Sequence, residues 1–230
     1  MKRAIAIIMC CLWTLNLSLP AFALYKDENI FYCQKNDQQK IALTFDDGPH
    51  PRHTRKILDV LKKYDVKATF FVIGQNIEYY PGIVEQILSE GHEIGNHTYR
   101  HKRTKTLGSE AFCEDVRHCD GMIADNCNYK TKLFRPPEGY VDEKVKAVAR
   151  ELGYSIILWN IDTKDWEHAS AHHIAEIVTE KATAGDIILM HDYVSGKSST
   201  VEALEMIIPR LLSRGYRFVR VSELIESETS

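Results

Sequence analysis

From Lys40 onward the chain alternates short apolar runs with amphipathic ones, and that rhythm limits it to very few architectures. "KIALTF" (Lys40–Phe45) reads as a buried strand, and "TRKILDVLKKY" as a helix with Ile57, Leu58 and Leu61 at helical spacing. "KATFFVIG" is a strand ending at Gly74; "PGIVEQILSEG" is a helix with Pro81 near its start and Gly91 past its end. "HEIGNH" is a short strand, and Ser109 to Asp125 a polar amphipathic helix. "KLFRPP", "YSIILWNI", "GDIILMH" and "YRFVRV" are four more strands. Between them lie the helices "DEKVKAVARELG", "AHHIAEIVTEKA" and "VEALEMIIPRLLSRG", the last broken or kinked near Pro209. Such alternation specifies an α/β fold with a parallel sheet. About seven strands in this length predict a small or incomplete barrel more than an eightfold one. No GxGxxG follows the first strand and no GKS or GKT loop is present, which disfavours a nucleotide-binding doubly wound sheet.

The N-terminus has a different character. Lys2 and Arg3 precede the apolar run Ala4 to Trp13, and small residues stand at Ala21 and Ala23. This is the layout of a signal peptide cleaved after Ala23, and the apolar run is too short for a bilayer span. The expected organisation is a signal peptide over 1–23, a lead-in over 24–38 and one domain over 39–226, placed outside the cytoplasmic membrane. Removing the first 23 of 230 residues leaves 207, enough for one substantial core. It also takes the formal charge from −3 to −5, because Lys2 and Arg3 go with it. A mildly acidic chain with no basic run is a poor candidate for nucleic acid. Four cysteines remain: Cys33, Cys113, Cys119 and Cys127. If Ser109–Asp125 is one helix, Cys113 and Cys119 stand roughly 9 Å apart at ~1.5 Å per residue, beyond the ~7 Å reach of a disulfide. The other pairings, and free thiols, stay open.

The unusual polar residues fall at strand ends. Asp46 and Asp47 follow the first strand, His97 and His101 the third, and Arg135 ends the fourth. Asp162 and Asp165 follow the fifth, and His191 and Asp192 the sixth. In a parallel α/β fold the C-terminal strand ends open on one face, so these clusters are expected to converge. His-x-x-x-His puts two imidazoles on one side of a helical turn, and a carboxylate beside them completes a two-His, one-carboxylate set with an open position for water. One aspartate of the pair would then ligate a metal, whose charge offsets their mutual repulsion. The other would stay ionised to take a proton. The remaining histidines have plainer readings: His50 and His53 solvated, His92 half-buried, and His118, His168, His172 and His173 without chemistry.

"TFDDGP", "HTYRH", "RPPEG", "DTKDW" and "LMHD", in this order, resemble the five motifs of the polysaccharide deacetylases, carbohydrate esterase family 4 with its NodB homology domain. The resemblance runs from about Lys40 to about Leu224. It implies a distorted (β/α) barrel and metal-dependent removal of N- or O-acetyl groups from glycans. By motif match, Asp46 would be the general base and Arg135 would orient it. Asp47, His97 and His101 would bind one divalent metal ion, usually zinc, sometimes cobalt or nickel. His191 would be the general acid, oriented by Asp165, and Trp166 and Leu189 would line the pocket for the acetyl methyl group. Many members carry Tyr where this chain has Glu138. The backbone N–H can still serve an oxyanion, but the sugar-facing surface is expected to differ, with Tyr140 partly filling the gap.

The resemblance implies a secreted N-deacetylase acting on GlcNAc- or MurNAc-containing glycan, peptidoglycan or chitin-type oligomers. An O-acetyl xylan esterase would use the same site on an ester. A non-catalytic glycan-binding protein on this fold would have lost a ligand, the base or the acid, and all five positions are filled.

Overall fold

The computed structural model describes residues 29–226; residues 1–23, expected to be a signal peptide, lie outside them. Among the described residues nine strands form one sheet: β1 (Ile30–Phe31), β2 (Lys40–Asp46), β3 (Thr69–Val72), β4 (Glu93–Asn96), β5 (Leu133–Phe134), β6 (Ser155–Ile157), β7 (Ile161–Asp162), β8 (Ile187–His191) and β9 (Arg217–Phe218). Their order is β1-β6-β5-β4-β3-β2-β8-β7, with β9 pairing the start of β2, and every named pairing is parallel. Eight helices complete the alternation: α1 (His53–Lys63), α2 (Gly74–Tyr79), α3 (Pro81–Ser89), α4 (Ser109–Cys127), α5 (Glu143–Leu152), α6 (Ala171–Lys181), α7 (Thr200–Ser213) and α8 (Val221–Ile225).

β2 is an interior strand, paired with β3, β8 and β9, and all its residues but Lys40 are buried. That is why it reads as an unbroken apolar run: both faces of a parallel strand are covered. The helices bury the stripes their spacing predicts, such as Ile57, Leu58 and Leu61 of α1. Caps set their ends. Asp142 accepts from Val145 N at the start of α5, and Gly153 takes φ 73° just past its end. α7 continues through Pro209, so the helix is not broken there. Ile207, Ile208 and Leu211 are fully buried around it, and their packing holds the helix together across the missing N–H.

Two departures from the sequence reading raise the strand count from seven to nine. The lead-in contributes β1, which pairs with β6, and a bridge from Cys33 to Asp186 then carries it to the foot of β8. The fifth expected strand, "YSIILWNI", divides. Its first half is β6, near one edge of the curled sheet, and its second half is β7, at the other edge. Leu158, Trp159 and Asn160 cross the gap between them. Periodicity does not reveal this break, because both halves are apolar. Polar groups enforce it: the buried Arg135 guanidinium takes the carbonyls of Ile157 (2.9 Å) and Leu158 (3.0 Å). The cysteines form no disulfide among the described residues, and no described helix is long and apolar enough to cross a membrane.

Candidate active site and metal centre

The strand ends do converge. Asp46, Asp47, His97, His101, Glu138, Asp162, Trp166, Leu189 and His191 line one cleft of about 450 Å³, with Trp159. Arg135 and Asp165 lie directly beneath, 0 % and 1 % exposed. Tyr140 is not brought into this lining; the ammonium of Lys105 sits over its ring, 4.3 Å from the centroid.

Consecutive strand residues point to opposite faces, so two adjacent aspartates serving one cleft need a break in the strand. β2 ends at Asp46, and Asp47 adopts φ 75°, a left-handed conformation that aspartate tolerates better than most residues. Its carbonyl is held by Asn76 Nδ2 at 2.8 Å. Gly48 follows, and a Cβ there would stand 2.0 Å from the buried Asp192 carboxylate, so no larger residue fits. Asp192 accepts from Thr54 Oγ1 (2.6 Å), which in turn accepts from His50 N (2.7 Å). Burial pushes the Asp192 carboxyl up to about 7.

His97 and His101 are not on a helical turn. β4 ends at Asn96, and the next residues form a loop in which Thr98 and His101 have φ 66° and 50°. Side chains fix that loop: Asn96 Oδ1 accepts from Thr98 N (2.8 Å), Asp115 Oδ2 from Arg100 N (3.1 Å), and Thr98 Oγ1 from His101 N (3.1 Å). The first N–H groups of α2 bond back to the Thr98 and Tyr99 carbonyls, both at 3.0 Å. Asn96 itself is anchored to Tyr154 and Val116, and Tyr154 to Asp120. The imidazoles thus come together through a buried polar network, not through helical spacing.

Three donor atoms fit a cation. Asp47 Oδ1 lies 3.5 Å from His97 Nε2 and 3.3 Å from His101 Nε2, close to the edges of about 3.3 Å of a tetrahedron with ~2.0–2.1 Å arms. That Oδ1 is buried with no hydrogen-bond partner. His97 Nδ1 is 2.7 Å from the Arg135 carbonyl, which makes it the protonated nitrogen and leaves Nε2 as the lone-pair donor. The site is built to attract positive charge. Burial opposes ionisation of Asp47, but the adjacent His97 and His101 imidazoles outweigh it and bring it down to about 2. Burial likewise opposes a charge on His97, and Asp46 and Asp47 together overcome it.

Arg135 is the hub below. Nη1 donates to Asp46 Oδ1 (2.7 Å) and Thr44 Oγ1 (2.8 Å), and the guanidinium carbon sits 4.1 Å from the Phe71 ring centroid. A fully buried charge is tolerated only when its donors are satisfied in this way. Across the cleft, Asp165 grips His191 twice, through Nδ1 (2.8 Å) and through the backbone N–H (2.8 Å), and Thr200 Oγ1 donates to the same carboxylate (2.8 Å). Burial alone would lower His191; the Asp165 hydrogen bond and charge outweigh it and raise the imidazole to about 9. At the rim Glu138 stands at φ 59° and pairs with Arg103 at 3.0 Å.

Sequence reasoning missed Trp159, whose place follows from the divided strand, and the supporting Thr44, Asn96 and Thr200, ordinary polar residues with no local signal. His92, expected to be half-buried, is 3 % exposed, and its Nδ1 accepts from Ala68 N.

Residues 34–157 match the family model described as polysaccharide deacetylase. A peptidoglycan-N-acetylglucosamine deacetylase of Bacillus cereus is 42 % identical over 83 % of this chain and 90 % of its own length. A crystal structure of a peptidoglycan N-acetylglucosamine deacetylase in complex with 4-naphthalen-1-yl-N-oxidanyl-benzamide superposes with a TM-score of 0.82 at 36 % identity, covering 85 % of this chain and 92 % of that one. A pseudoenzyme of the same carbohydrate esterase family from Bacillus anthracis superposes with a TM-score of 0.79 at 31 % identity, covering 86 % and 69 %. The chain belongs to the polysaccharide deacetylase family, carbohydrate esterase family 4.

Proposed function

We propose that this protein is a catalytically competent deacetylase that hydrolyses the N-acetyl groups of GlcNAc- or MurNAc-containing glycan, with peptidoglycan the leading substrate and chitin-type oligomers second. One observation carries the reading. A base held by Arg135, an acid held by Asp165 and three cation donors line a single cleft. The pseudoenzyme relative shows that family membership does not guarantee activity, so the intact residue set matters.

Asp47, His97 and His101 would hold one divalent ion, and their mix of two imidazoles and a carboxylate suits zinc, with cobalt or nickel as substitutes. Such an ion would polarise the acetyl carbonyl and acidify water beside it. Asp46, fixed by Arg135, takes the proton of the attacking water. The turn after Arg135 offers a backbone donor: the N–H groups of Gly139 and Tyr140 bond to Pro136 and Pro137, which leaves that of Glu138 to meet the developing oxyanion. His191, kept protonated by Asp165, donates to the leaving amine. Trp166 and Leu189 wall the space for the acetyl methyl group. The Arg103 partner of Glu138 offsets its charge, so anionic glycan need not be repelled from the rim.

We infer export as well. The basic head, the apolar run and the small residues at Ala21 and Ala23 support placement outside the cytoplasmic membrane, where such glycans lie. N-terminal sequencing of the mature protein checks it, with Leu24 expected first.

The experiment is acetate release from N-acetylglucosamine oligomers and from purified peptidoglycan, with and without zinc and a chelator. Metal-dependent release from either supports the reading, and the better substrate fixes the class. Release only from acetylated xylan would replace it with the ester activity. No release from a zinc-loaded protein would replace it with the pseudoenzyme reading.

A further inference from the structure

A second concave site adjoins the catalytic loops. Pro49, His50, Asn76, Tyr79, Tyr80 and Tyr193 enclose a groove of about 220 Å³. Its walls are aromatic and exposed: Tyr79 is 61 %, Tyr193 41 % and Tyr80 37 % open to solvent. These are three of only six large exposed hydrophobic side chains among the described residues, and a fourth, Trp166, lies in the catalytic cleft. Scattered exposed aromatics need no explanation, but a concentration of them in concave surface beside a reaction centre does.

The groove lies close to the catalytic cleft along the chain. His50 lies three residues after the cation donor Asp47, and Tyr193 two after His191, so their Cα atoms stand at most ~11 Å and ~7 Å away at ~3.6 Å per residue. The Asn76 amide also links the two places, donating to the Asp47 carbonyl.

Its surfaces are pre-arranged. The His50 ring stacks on Tyr193, with centroids 5.0 Å apart and planes at 17°, and packs edge-on against His53. His50 Nδ1 accepts backbone N–H groups from Arg52 (3.3 Å) and His53 (3.1 Å), which leaves Nε2 as the protonated nitrogen and a hydrogen-bond donor. A flat apolar face with phenol and imidazole groups at its margin suits a pyranose ring, which has apolar C–H faces and hydroxyls around its equator.

We propose that this groove is a second sugar-binding subsite, taking a pyranose ring of the same glycan chain at a distance from the sugar that is deacetylated. The proposal rests on the glycan reading above. It gives the enzyme a preference for long chains, because remote binding energy improves capture of a polymer and is worth nothing to a substrate too short to reach.

The test compares the wild type with Tyr79→Ala, Tyr79→Phe and the double variant Tyr79→Ala/Tyr193→Ala, on N-acetylglucosamine dimer and hexamer. Tyr79→Ala is expected to lower kcat/KM on the hexamer about fivefold to tenfold, mostly through KM, and to leave the dimer within about twofold. The double variant should lose more on the hexamer, and Tyr79→Phe should retain most of the wild-type preference. Equal losses on both lengths, or none on the hexamer, would overturn the subsite. So would a loss seen on peptidoglycan but not on the hexamer, because the groove would then hold the stem peptide. Calorimetric binding of the hexamer, with and without Tyr79→Ala in an Asp46→Asn background, separates the two proposals. If the wild type releases no acetate but Tyr79→Ala still weakens hexamer binding, the subsite stands and the deacetylase reading falls. If binding is unchanged, the subsite falls whatever the turnover.

Discussion

The floor and the rim of the cleft are built on opposite principles. On the floor, Arg135 is 0 % exposed, and its guanidinium joins Asp46, Thr44 and two carbonyls of the chain segment that crosses the sheet. At the rim, the side chains of Arg103 and Glu138 are 76 % and 50 % exposed, and each meets the other at a single distance of 3.0 Å. Buried pairs are costly to break because the remaining charge has no water to turn to, whereas exposed pairs exchange one solvent contact for another. Chemistry is therefore placed where the fold cannot drift, and substrate preference where substitutions cost little.

Four predictions press on that contrast. The largest effect concerns the base. Asp46→Asn should lower acetate release about a thousandfold while metal analysis still finds the ion, and His97→Ala should lose both. Near-normal turnover in Asp46→Asn would remove the base assignment. Next is the hub: Arg135→Met should destabilise the fold by about 3–5 kcal/mol in urea titration, because Asp46 stays buried without its partner. A loss below ~1 kcal/mol would place Arg135 with the rim.

Third is the acid. His191 is raised from 6.5 to about 9, so activity should persist through neutral pH and fall as pH passes about 9. Asp165→Asn removes the largest raising influence, so the alkaline limb should move down toward 6.5, with about a tenfold loss at pH 8. The stability linkage has the same direction. The folded-state value exceeds the unfolded one, so the stabilisation is complete below about 6.5 and is lost as pH rises through about 9. An unmoved limb would show that another group limits the reaction. The smallest effect belongs to the rim: Arg103→Ala should change stability by no more than ~1 kcal/mol, but should lower kcat/KM on anionic more than on neutral glycan, through KM.

Much of this was legible before any coordinates. The strand-end positions of Asp46, Asp47, His97, Arg135, Asp165 and His191 follow from apolar runs that stop at polar residues. What stayed hidden was longer in range. His97 and His101 looked like partners on a helical turn, because their spacing allows it. Instead Asn96, Asp115 and α2 hold them on a loop, from positions with no periodic relation to either histidine. Tyr140 looked near enough in sequence to face the sugar, yet the turn after Arg135 directs it toward Lys105. The aromatic groove draws on three separate segments, Pro49–His50, the stretch from Asn76 to Tyr80, and Tyr193, and no one of them announces it.

The sequence by itself determined the architecture class, the order of the elements and the residue types at the strand ends, because apolar periodicity and turn chemistry act over a few residues. Only the tertiary structure decided that one apolar run would divide between opposite edges of the sheet, that a lead-in of mixed character would become an edge strand, and which buried side chains would hold Asp46, His97 and His191 in place. Those outcomes depend on satisfying buried polar groups far apart in sequence, as Thr44 does with the carbonyl of Ile188, 144 residues away. No local pattern records where the partner of a buried donor is found.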